Sequence, residues 1–581
     1  MVRSKQNLGI MKAYENHNNK FTCAQIEPLE NSTPLFRSFS KQISISFALM
    51  IMFFLTTSYV SEENAAFDLR REFYLAAMHR QLSSGIKANS CILLNENVAV
   101  KTNRFIEEFY SNNGFRPAWT INYSLNSAAS EMLGLFNRAT FYGLDKRFYH
   151  IEELRRLTEK MNKTMQTDSL LLIRCELELL LTGACFSFMT DISMGMGLPD
   201  SCMTDKVINE LSNCLNAGIN NRNLKQKVLE LQPSDINYKN LQKALERYIN
   251  SGAFSDGAID IPDPNKSHEV SYAHARLVLE QQGYLSKNEL DNDSLFIQAV
   301  KEFQKFHGLN QDGILNVETR QAMSMSGINR FLKIALNLDR LRKDINQTGE
   351  CVFVNIPAYQ LRVFRANRVM KTFNVVVGRP STPTPELTSK IEKIVTIPEW
   401  NVPKSISLNE ILPRVKTDSS FLIRNNFKVI DKQLNEISLS KSEWQDVNRD
   451  NFDFYFVQNS GNSNALGLYK FSFNNSYRVY IHDTPTKRYF NKDIRAFSHG
   501  CIRLQDPDQF ADYLIKNNMN SAEKPDINDL VTSRMHKEIT LSIPIPIHIR
   551  YYTCEADENL NIYFYKDIYG KDDQQIQSLF N

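Results

Sequence analysis

The sequence predicts a multidomain α+β chain: helical in its first half, a small three-helix unit in the middle, and a β-rich C-terminal third. Three observations carry this. At 581 residues, the chain is too long for one ordinary domain of about 150 residues. Apolar residues recur at helical spacing over the first part and alternate from about residue 350 onwards. Between them, residues 252–268 hold Gly252, Gly257, Pro262, Pro264 and several Asp, the composition of a linker. Hydrophobic residues at 42% and charged residues at 23% are ordinary for globular proteins. They exclude wholesale disorder, a collagen-like chain and a multi-span membrane protein. A net charge of +3 gives no electrostatic case for nucleic acid as a partner.

Residues 1–42 read as a polar cytoplasmic tail. Ile43 to Val60 is the one long apolar run, 18 residues, just enough to span a bilayer. Arg37 and Lys41 precede it; Glu62 and Glu63 follow. Positive-inside logic puts the N-terminus in the cytoplasm and the rest of the chain outside. The expectation is an uncleaved anchor, with a cleaved signal peptide as the rival.

Residues 67–255 form a helical domain. Phe105, Ile106, Phe109 and Tyr110 recur at one-turn spacing, and Leu170 to Leu181 reads as a buried helix. A compact unit at 269–326 has helices at Ala275–Gln282, around Leu295–Phe303 and near Val317–Met325, with a turn at Gly283-Tyr284. A helix at 329–349, with Phe331, Leu332, Ala335, Leu338 and Leu341, links it to the last domain.

Residues 350–581 are mostly β. Strands are expected at Val352–Ile356, Gln360–Phe364, Thr372–Val377, Asp453–Gln458 and Tyr477–Ile481. Ile543–Ile549 reads as an edge strand because of Pro544 and Pro546. A polar insertion at about 404–450 shows no period.

The nine cysteines are odd in number, scattered and without a CxxC pair. No structural zinc site or dense disulfide framework is expected, though Cys202 and Cys214 are a candidate pair in an oxidising compartment. The chemistry gathers in two pieces, Tyr477 to Pro485 and Phe497 to Leu504. In the first, Tyr477, Val479 and Ile481 face one way, leaving Tyr480 and His482 on the other face. In the second, Cys501 sits in a Gly-containing turn before a helix that opens at Asp506-Pro507, with Gln509 at the capping-box position. Turn amides can stabilise an oxyanion. A free thiol is mostly protonated at neutral pH, so it needs a base to become a nucleophile. His482, from a separate strand, is a better base than His499, two residues away. By themselves a Cys and a His are also compatible with an inert buried thiol and a surface imidazole.

Ser498-His-Gly-Cys-Ile-Arg503, with fifteen residues between His482 and Ser498, resembles the signature of L,D-transpeptidases with a YkuD-type catalytic domain. Val354 to Leu361, Val377-Gly-Arg-Pro380, Pro398 to Pro403, Asn464-Ala-Leu-Gly467, Lys470-Phe471 and His482-Asp-Thr-Pro485 look like the large, membrane-anchored YcbB-like subgroup. Phe109-Tyr110, Pro117-Ala-Trp119 and Gly143-Leu-Asp145 resemble its helical scaffold domain. Gly283-Tyr284, Phe303-Gln304, Gly308-Leu309, Asp312-Gly-Ile314 and Thr319 are similar to the three-helix peptidoglycan-binding module. Two positions depart from the pattern: Ser460 where Pro is usual, and Asn316 where Gly is common.

The resemblance implies a cysteine acyltransferase. Cys501 would attack a tetrapeptide stem of peptidoglycan, releasing D-Ala, and a second stem's amine would resolve the thioester into a 3→3 cross-link. His482 would be the general base, its other nitrogen held by a nearby backbone carbonyl, that of Asp483. Amides near Gly500 and Cys501 would form the oxyanion hole, and Tyr480, Ser498, His499 and Arg503 would shape the pocket. The insertion would cap the site. No cofactor and no metal is implied. Partners would be peptidoglycan stems and glycan, the inner membrane and possible peptidoglycan synthases. The location would be the periplasm of a Gram-negative-type bacterium, with roles in wall biogenesis and cell shape, and carbapenem would acylate Cys501. Same-site rivals are L,D-carboxypeptidase action and attachment of a protein to the stem; a non-catalytic peptidoglycan-binding scaffold is the rival of another class.

Overall fold

The computed structural model describes residues 72–73, 76–77, 80 and 96–580, apart from 122–123, 165–166, 290–291, 345–348, 367 and 521–522. The tail at 1–42, the apolar run at 43–60, Cys23 and Cys91 lie outside the described residues. Among those described, no helix is long and apolar enough to cross a membrane. The chain divides into two units, Met1–Phe73 and Tyr74–Asn581, and all the hydrophobic cores found lie in the second.

The helical domain packs around α1 (Thr167–Met194). Phe105, Phe109, Tyr110, Trp119, Phe136, Tyr149 and Phe188 are all buried. Glu178, on α1, is a buried carboxylate that accepts from the amides of Ala118 (2.8 Å) and Thr120 (2.9 Å) and the hydroxyls of Tyr110 (2.8 Å) and Thr120 (2.7 Å). This explains why Phe109-Tyr110 and Pro117-Ala-Trp119 occur together: one acid gathers loop donors that would otherwise be buried without partners.

In the small unit, Gln304 does the same work. Its amide donates to Asp312 (2.8 Å), to the Ile314 carbonyl (3.1 Å) and to Thr319 (3.1 Å), and accepts from the Gly313 amide (2.9 Å). Asn316, where Gly is common, caps the third helix by accepting from the Thr319 amide at 2.9 Å. Its φ of −68° needs no glycine. The linker helix follows as α2 (Gly327–Lys343).

The last domain is built from β1 (Cys351–Asn355), β2 (Gln360–Arg365), β3 (Arg368–Gly378), β4 (Leu387–Thr396), β5 (Trp400–Asn401), β6 (Phe427–Asp431), β7 (Glu436–Ile437), β8 (Phe454–Gln458), β9 (Tyr469–Phe473), β10 (Ile481–His482), β11 (Ala496–Ser498), β12 (Ile502–Leu504), β13 (Lys537–Arg550), β14 (Cys554–Ala556) and β15 (Ile562–Phe564). A nine-stranded sheet runs β11-β3-β12-β10-β9-β4-β13-β1-β2, and β2 also pairs with β3, so the sheet closes on itself. Val352, Leu361, Phe471, Ile481 and Ile502 fill its core together with Phe510 of α3 (Pro507–Asn518).

Four expectations change here. β13 is an interior strand, between β4 and β1, not an edge. Its prolines are tolerated because Pro544 falls in a register shift between Thr540 and Ile545, and pairing with β1 begins only at Ile547. The strand expected over Tyr477–Ile481 is confined to Ile481–His482, because Arg478 turns at φ 58° and the Asn475 side chain occupies both the amide (3.1 Å) and carbonyl (2.8 Å) of Val479. Asp506 precedes α3 in a left-handed conformation and makes no side-chain cap. Cys202 and Cys214 are both free thiols.

The insertion folds on its own core. β5, β8, β6 and β7 form a four-stranded sheet in that order, over Trp444, Phe452, Phe454 and Phe456. The strand expected near Asp453 therefore belongs to the insertion, which begins at β5 and ends at β8.

The C-terminal segment ties the domains together. Lys333 of α2 donates to the Tyr565 carbonyl (2.5 Å), and Asn337 exchanges hydrogen bonds with Thr553 (3.0 and 2.9 Å). The last helix, α4 (Asp572–Phe580), buries Leu579 and Phe580 in the helical domain's core, where Arg147 donates to the Phe580 carbonyl at 2.6 Å.

Candidate active site

Register places the chemistry. Between the parallel strands β10 and β12, Ile481 pairs with Ile502 and His482 with Arg503. On the other side of β10, Lys470 of β9 pairs with His482. Phe471, Ile481 and Ile502 are fully buried in the core, so by alternation Lys470, Tyr480, His482, Cys501 and Arg503 share the opposite face. Cys501 lies beside Tyr480, whose carbonyl accepts from the Ile502 amide at 3.0 Å. Cys501, immediately before β12, and His482 of β10 are thus diagonal neighbours across the parallel β10–β12 pairing.

His482 is buried, and its Nδ1 meets the Asp483 carbonyl at 2.5 Å. A carbonyl only accepts, so Nδ1 carries the proton and Nε2 is left as the acceptor. Burial, helped by the Arg503 cation, pushes the imidazole down to about 3. It is therefore neutral at neutral pH. Asp483 is held in turn: its carboxylate accepts from the Leu468 amide (2.9 Å) and from Lys487 (2.5 Å). Gly467 makes room for it, since a Cβ there would overlap that carboxylate.

The cysteine turn is braced from both ends. Ser498 Oγ donates to the Cys501 carbonyl (2.5 Å) and accepts from the Gly500 amide (3.1 Å). Gly500 has φ +112°, a conformation closed to most side chains. Its amide, expected to be free for an oxyanion, is committed to Ser498; its carbonyl accepts from Thr384 Oγ1 at 2.9 Å. Thr384 Oγ1 accepts from the Gly378 amide (2.8 Å), and Tyr569 clamps the same loop through the Thr384 amide (3.0 Å) and the Gly378 carbonyl (2.8 Å). Cys501 is half-buried and free. Burial pushes its thiol up, against the opposing pull of Tyr480, Lys470 and Arg503.

Around this pair, the Tyr480 ring lies 5.7 Å from the His482 ring and beneath the Lys470 ammonium at 4.5 Å. Tyr480, in register with Cys501, has that thiol and Trp400, at the base of the insertion, beside its hydroxyl. Arg503 sits 5.7 Å from the Tyr489 ring, and its buried Nε has no partner among the described residues. His499 points elsewhere: its Nε2 meets Glu410 of the insertion at 2.5 Å, and Glu410 also lies 3.6 Å from Arg379. Of the residues expected in the site, then, the structure gathers Cys501, His482, Tyr480, Ser498, Gly500 and Arg503, and turns His499 towards the cap. No group of three or more His, Cys, Asp or Glu able to hold a metal occurs among the described residues.

Lys470, Trp400, Thr384, Glu410 and Tyr569 were not singled out as site residues. Only Lys470 carried a local signal. It alternates with the apolar Tyr469, Phe471 and Phe473, which puts a cation on the non-core face of a strand. That the strand lies beside His482 is a matter of register, which no local pattern reports.

Three family models match the chain: "L,D-transpeptidase catalytic domain" over residues 350–520, "Scaffold domain" over 104–245 and "Putative peptidoglycan binding domain" over 273–323. A curated relative, "Putative L,D-transpeptidase" of Haemophilus influenzae, is 34% identical over 242 residues, 42% of this chain and 48% of the relative. The chain thus spans about half the length of the curated relative that it matches. Among solved structures, an L,D-transpeptidase from Mycobacterium smegmatis is 18% identical, covering 35% of this chain and 60% of that one, with a TM-score of 0.16. Another from Stackebrandtia nassauensis is 13% identical, covering 48% and 90%, with a TM-score of 0.19. From the family models, the chain carries a YkuD-type L,D-transpeptidase catalytic domain together with helical scaffold and peptidoglycan-binding domains.

Proposed function

We propose that the chain is a peptidoglycan L,D-transpeptidase that uses Cys501 as nucleophile and His482 as general base. The observation that carries this reading is the pairing of a neutral His482, its Nδ1 proton held by the Asp483 carbonyl, with a free cysteine on the same sheet face. Both groups are neutral at rest, so proton transfer accompanies attack. Nε2 of His482 takes the Sγ proton as sulfur adds to the carbonyl of the stem's third residue. The developing oxyanion is met by the Cys501 amide, since the Gly500 amide is engaged. The carbon–nitrogen bond then breaks, and the proton on Nε2 passes to the departing amine of D-Ala. The thioester is resolved by the side-chain amine of a second stem, which gives its proton to His482 as the carbon–sulfur bond breaks; the thiolate recovers that proton. The product is a 3→3 cross-link. Arg503 offers its guanidinium fork to a stem carboxylate.

In this reading Ile43 to Val60 anchors the chain in the inner membrane of a Gram-negative-type cell and the folded domains work in the periplasm.

The test is incubation of the full chain, wild type and Cys501→Ala, with disaccharide-tetrapeptide, followed by mass spectrometry. Dimer lacking one D-Ala, from wild type alone, is the expected product. Loss of D-Ala without dimer would make the enzyme a carboxypeptidase instead, and equal dimer from both proteins would remove the cysteine from the mechanism.

A further inference from the structure

Lys470 is a cation without an acid. It projects from the interior strand β9 onto the reactive face and is half-buried there. Its Nζ lies 4.5 Å from the centre of the Tyr480 ring and has no hydrogen-bond or ion-pair partner among the described residues. The one carboxylate that acts on it from a distance, Glu538, is engaged by Lys393 at 3.2 Å. Arg503 is likewise unpaired at Nε. The acid nearest in sequence to His482, Asp483, is turned away to Leu468 and Lys487. Among the described residues, the face around Cys501 and His482 therefore carries two cations without a paired acid, its own carboxylate Glu538 being taken up by Lys393. A half-buried ammonium is poorly placed unless an anion joins it, and the anion must arrive with a ligand.

The order of strands says which anion. Across the sheet run β12 with Cys501 immediately before it, β10 with His482, and β9 with Lys470, about 4.8 Å from strand to strand. A peptide ending in a free amino acid presents, in the same order, an acyl carbon, a nitrogen and a carboxylate. With the carbon at Sγ and the nitrogen at the imidazole that must protonate it, the carboxylate falls on the Lys470 side. We infer that Lys470 holds the terminal carboxylate of the donor peptide, the group that departs with the leaving amino acid, and so makes the enzyme select donors with a free C-terminus. This rests on the proposed acyl transfer and adds a recognition element to it. Arg503, on the strand of the nucleophile, remains for a second anionic group on the acyl side.

The experiment compares two donors on the full chain: disaccharide-tetrapeptide, and the same compound with its C-terminal carboxylate converted to the amide. Acylation of Cys501 is read by mass spectrometry, and alkylation of Cys501 by iodoacetamide is measured alongside to correct for any change in thiol reactivity. Wild type is expected to favour the acid over the amide by roughly 10- to 100-fold, the usual weight of a hydrogen bond to a charged group. Lys470→Met should bring that ratio close to one, Lys470→Arg should restore much of it, and Arg503→Gln should leave it in place. A wild-type ratio near one, a ratio that survives Lys470→Met, or one abolished by Arg503→Gln instead would overturn the assignment. If wild type is acylated by neither donor while iodoacetamide still alkylates Cys501, the acyl-transfer reading itself fails, and the recognition role falls with it.

Discussion

The resting charge of the Cys501–His482 pair can be tested by alkylation as a function of pH. In a thiolate–imidazolium pair, the thiolate persists from acid pH to neutrality, and alkylation is flat over that range. Here burial acts on both partners in the opposite sense: the imidazole is pushed down to about 3 and the thiol is pushed up. With a thiol above the ordinary value of about 8.5, less than about 3% is thiolate at pH 7. The Cys501 rate with iodoacetamide should therefore rise about tenfold per pH unit from pH 6 to pH 8, with no inflection near 6.5. His482→Ala should leave this profile nearly unchanged, because iodoacetamide consumes thiolate that forms without the imidazole. The same substitution should slow acylation by the stem about 10²- to 10⁴-fold, the range of general-base catalysis. The rate is followed by mass spectrometry of the Cys501 peptide, since other thiols such as Cys202 are only partly buried. A plateau between pH 4 and pH 7 that collapses in His482→Ala would refute the argument, because it would mean that the pair is charged at rest and that burial is not the dominant influence.

Three further outcomes follow from the geometry. Thr384→Val keeps shape but leaves the Gly378 amide and the Gly500 carbonyl without a partner; urea unfolding should show a loss of about 1–3 kcal/mol, together with slower acylation, and an unchanged midpoint would contradict the bracing role. His499→Ala removes a side-chain contact with Glu410 in which the two side chains are 30% and 35% exposed; the loss of stability should stay within about 1 kcal/mol, and the acylation rate should change only a few-fold, as a hundredfold drop would put His499 in the chemistry. His482 and His307 are both buried and both held down to about 3. Each folded value lies below the unfolded value of about 6.5, so the stability is present above pH 6.5 and is lost as the pH falls towards 3, by about 1.4 kcal/mol per unit for each histidine. Unfolding free energies at pH 7, 6 and 5 should show this slope, shallower in His307→Phe.

Local pattern made the elements legible, and register decided the site. Phe105, Ile106, Phe109 and Tyr110 were readable because helical spacing is a property of neighbours in the chain, and all four are buried. The linker helix and the three helices of the small unit were readable for the same reason. Cys501 and His482 were legible as candidates through their motif. Lys470 was not, because its place beside His482 comes from the antiparallel pairing of β9 with β10, a contact made when the sheet assembles. β13 was misread by a sound rule: proline avoids interior strands, but here a register shift absorbs Pro544 and the second partner strand begins only after Pro546. His499 was placed in the pocket by the family resemblance, although its nearness to Cys501 in sequence already made it the poorer base. A left-handed Gly500 between them turns the chain, so the imidazole meets the insertion instead.

The bracing of Cys501 does not end where the catalytic family match ends. That match stops at residue 520, yet β13, starting at Lys537, lies between β4 and β1, so the closed sheet is incomplete without the later segment. Beyond it, Tyr569 bonds to both sides of the loop that supports the Gly500 carbonyl. Tyr551 stacks on Tyr569 at 5.3 Å and accepts from its amide at 2.8 Å. Thr553, two residues further along the chain, is fixed to Asn337 of α2, and α4 ends in the helical domain's core. A continuous set of contacts thus runs from the helical domain to the turn that carries Cys501. In the proposed reading, holding that turn is itself a contribution to chemistry, because a catalytic group loses rate steeply when it is displaced by even about 1 Å. The helical domain, which brings no reactive residue to the site, makes that contribution through α2 and the C-terminal segment.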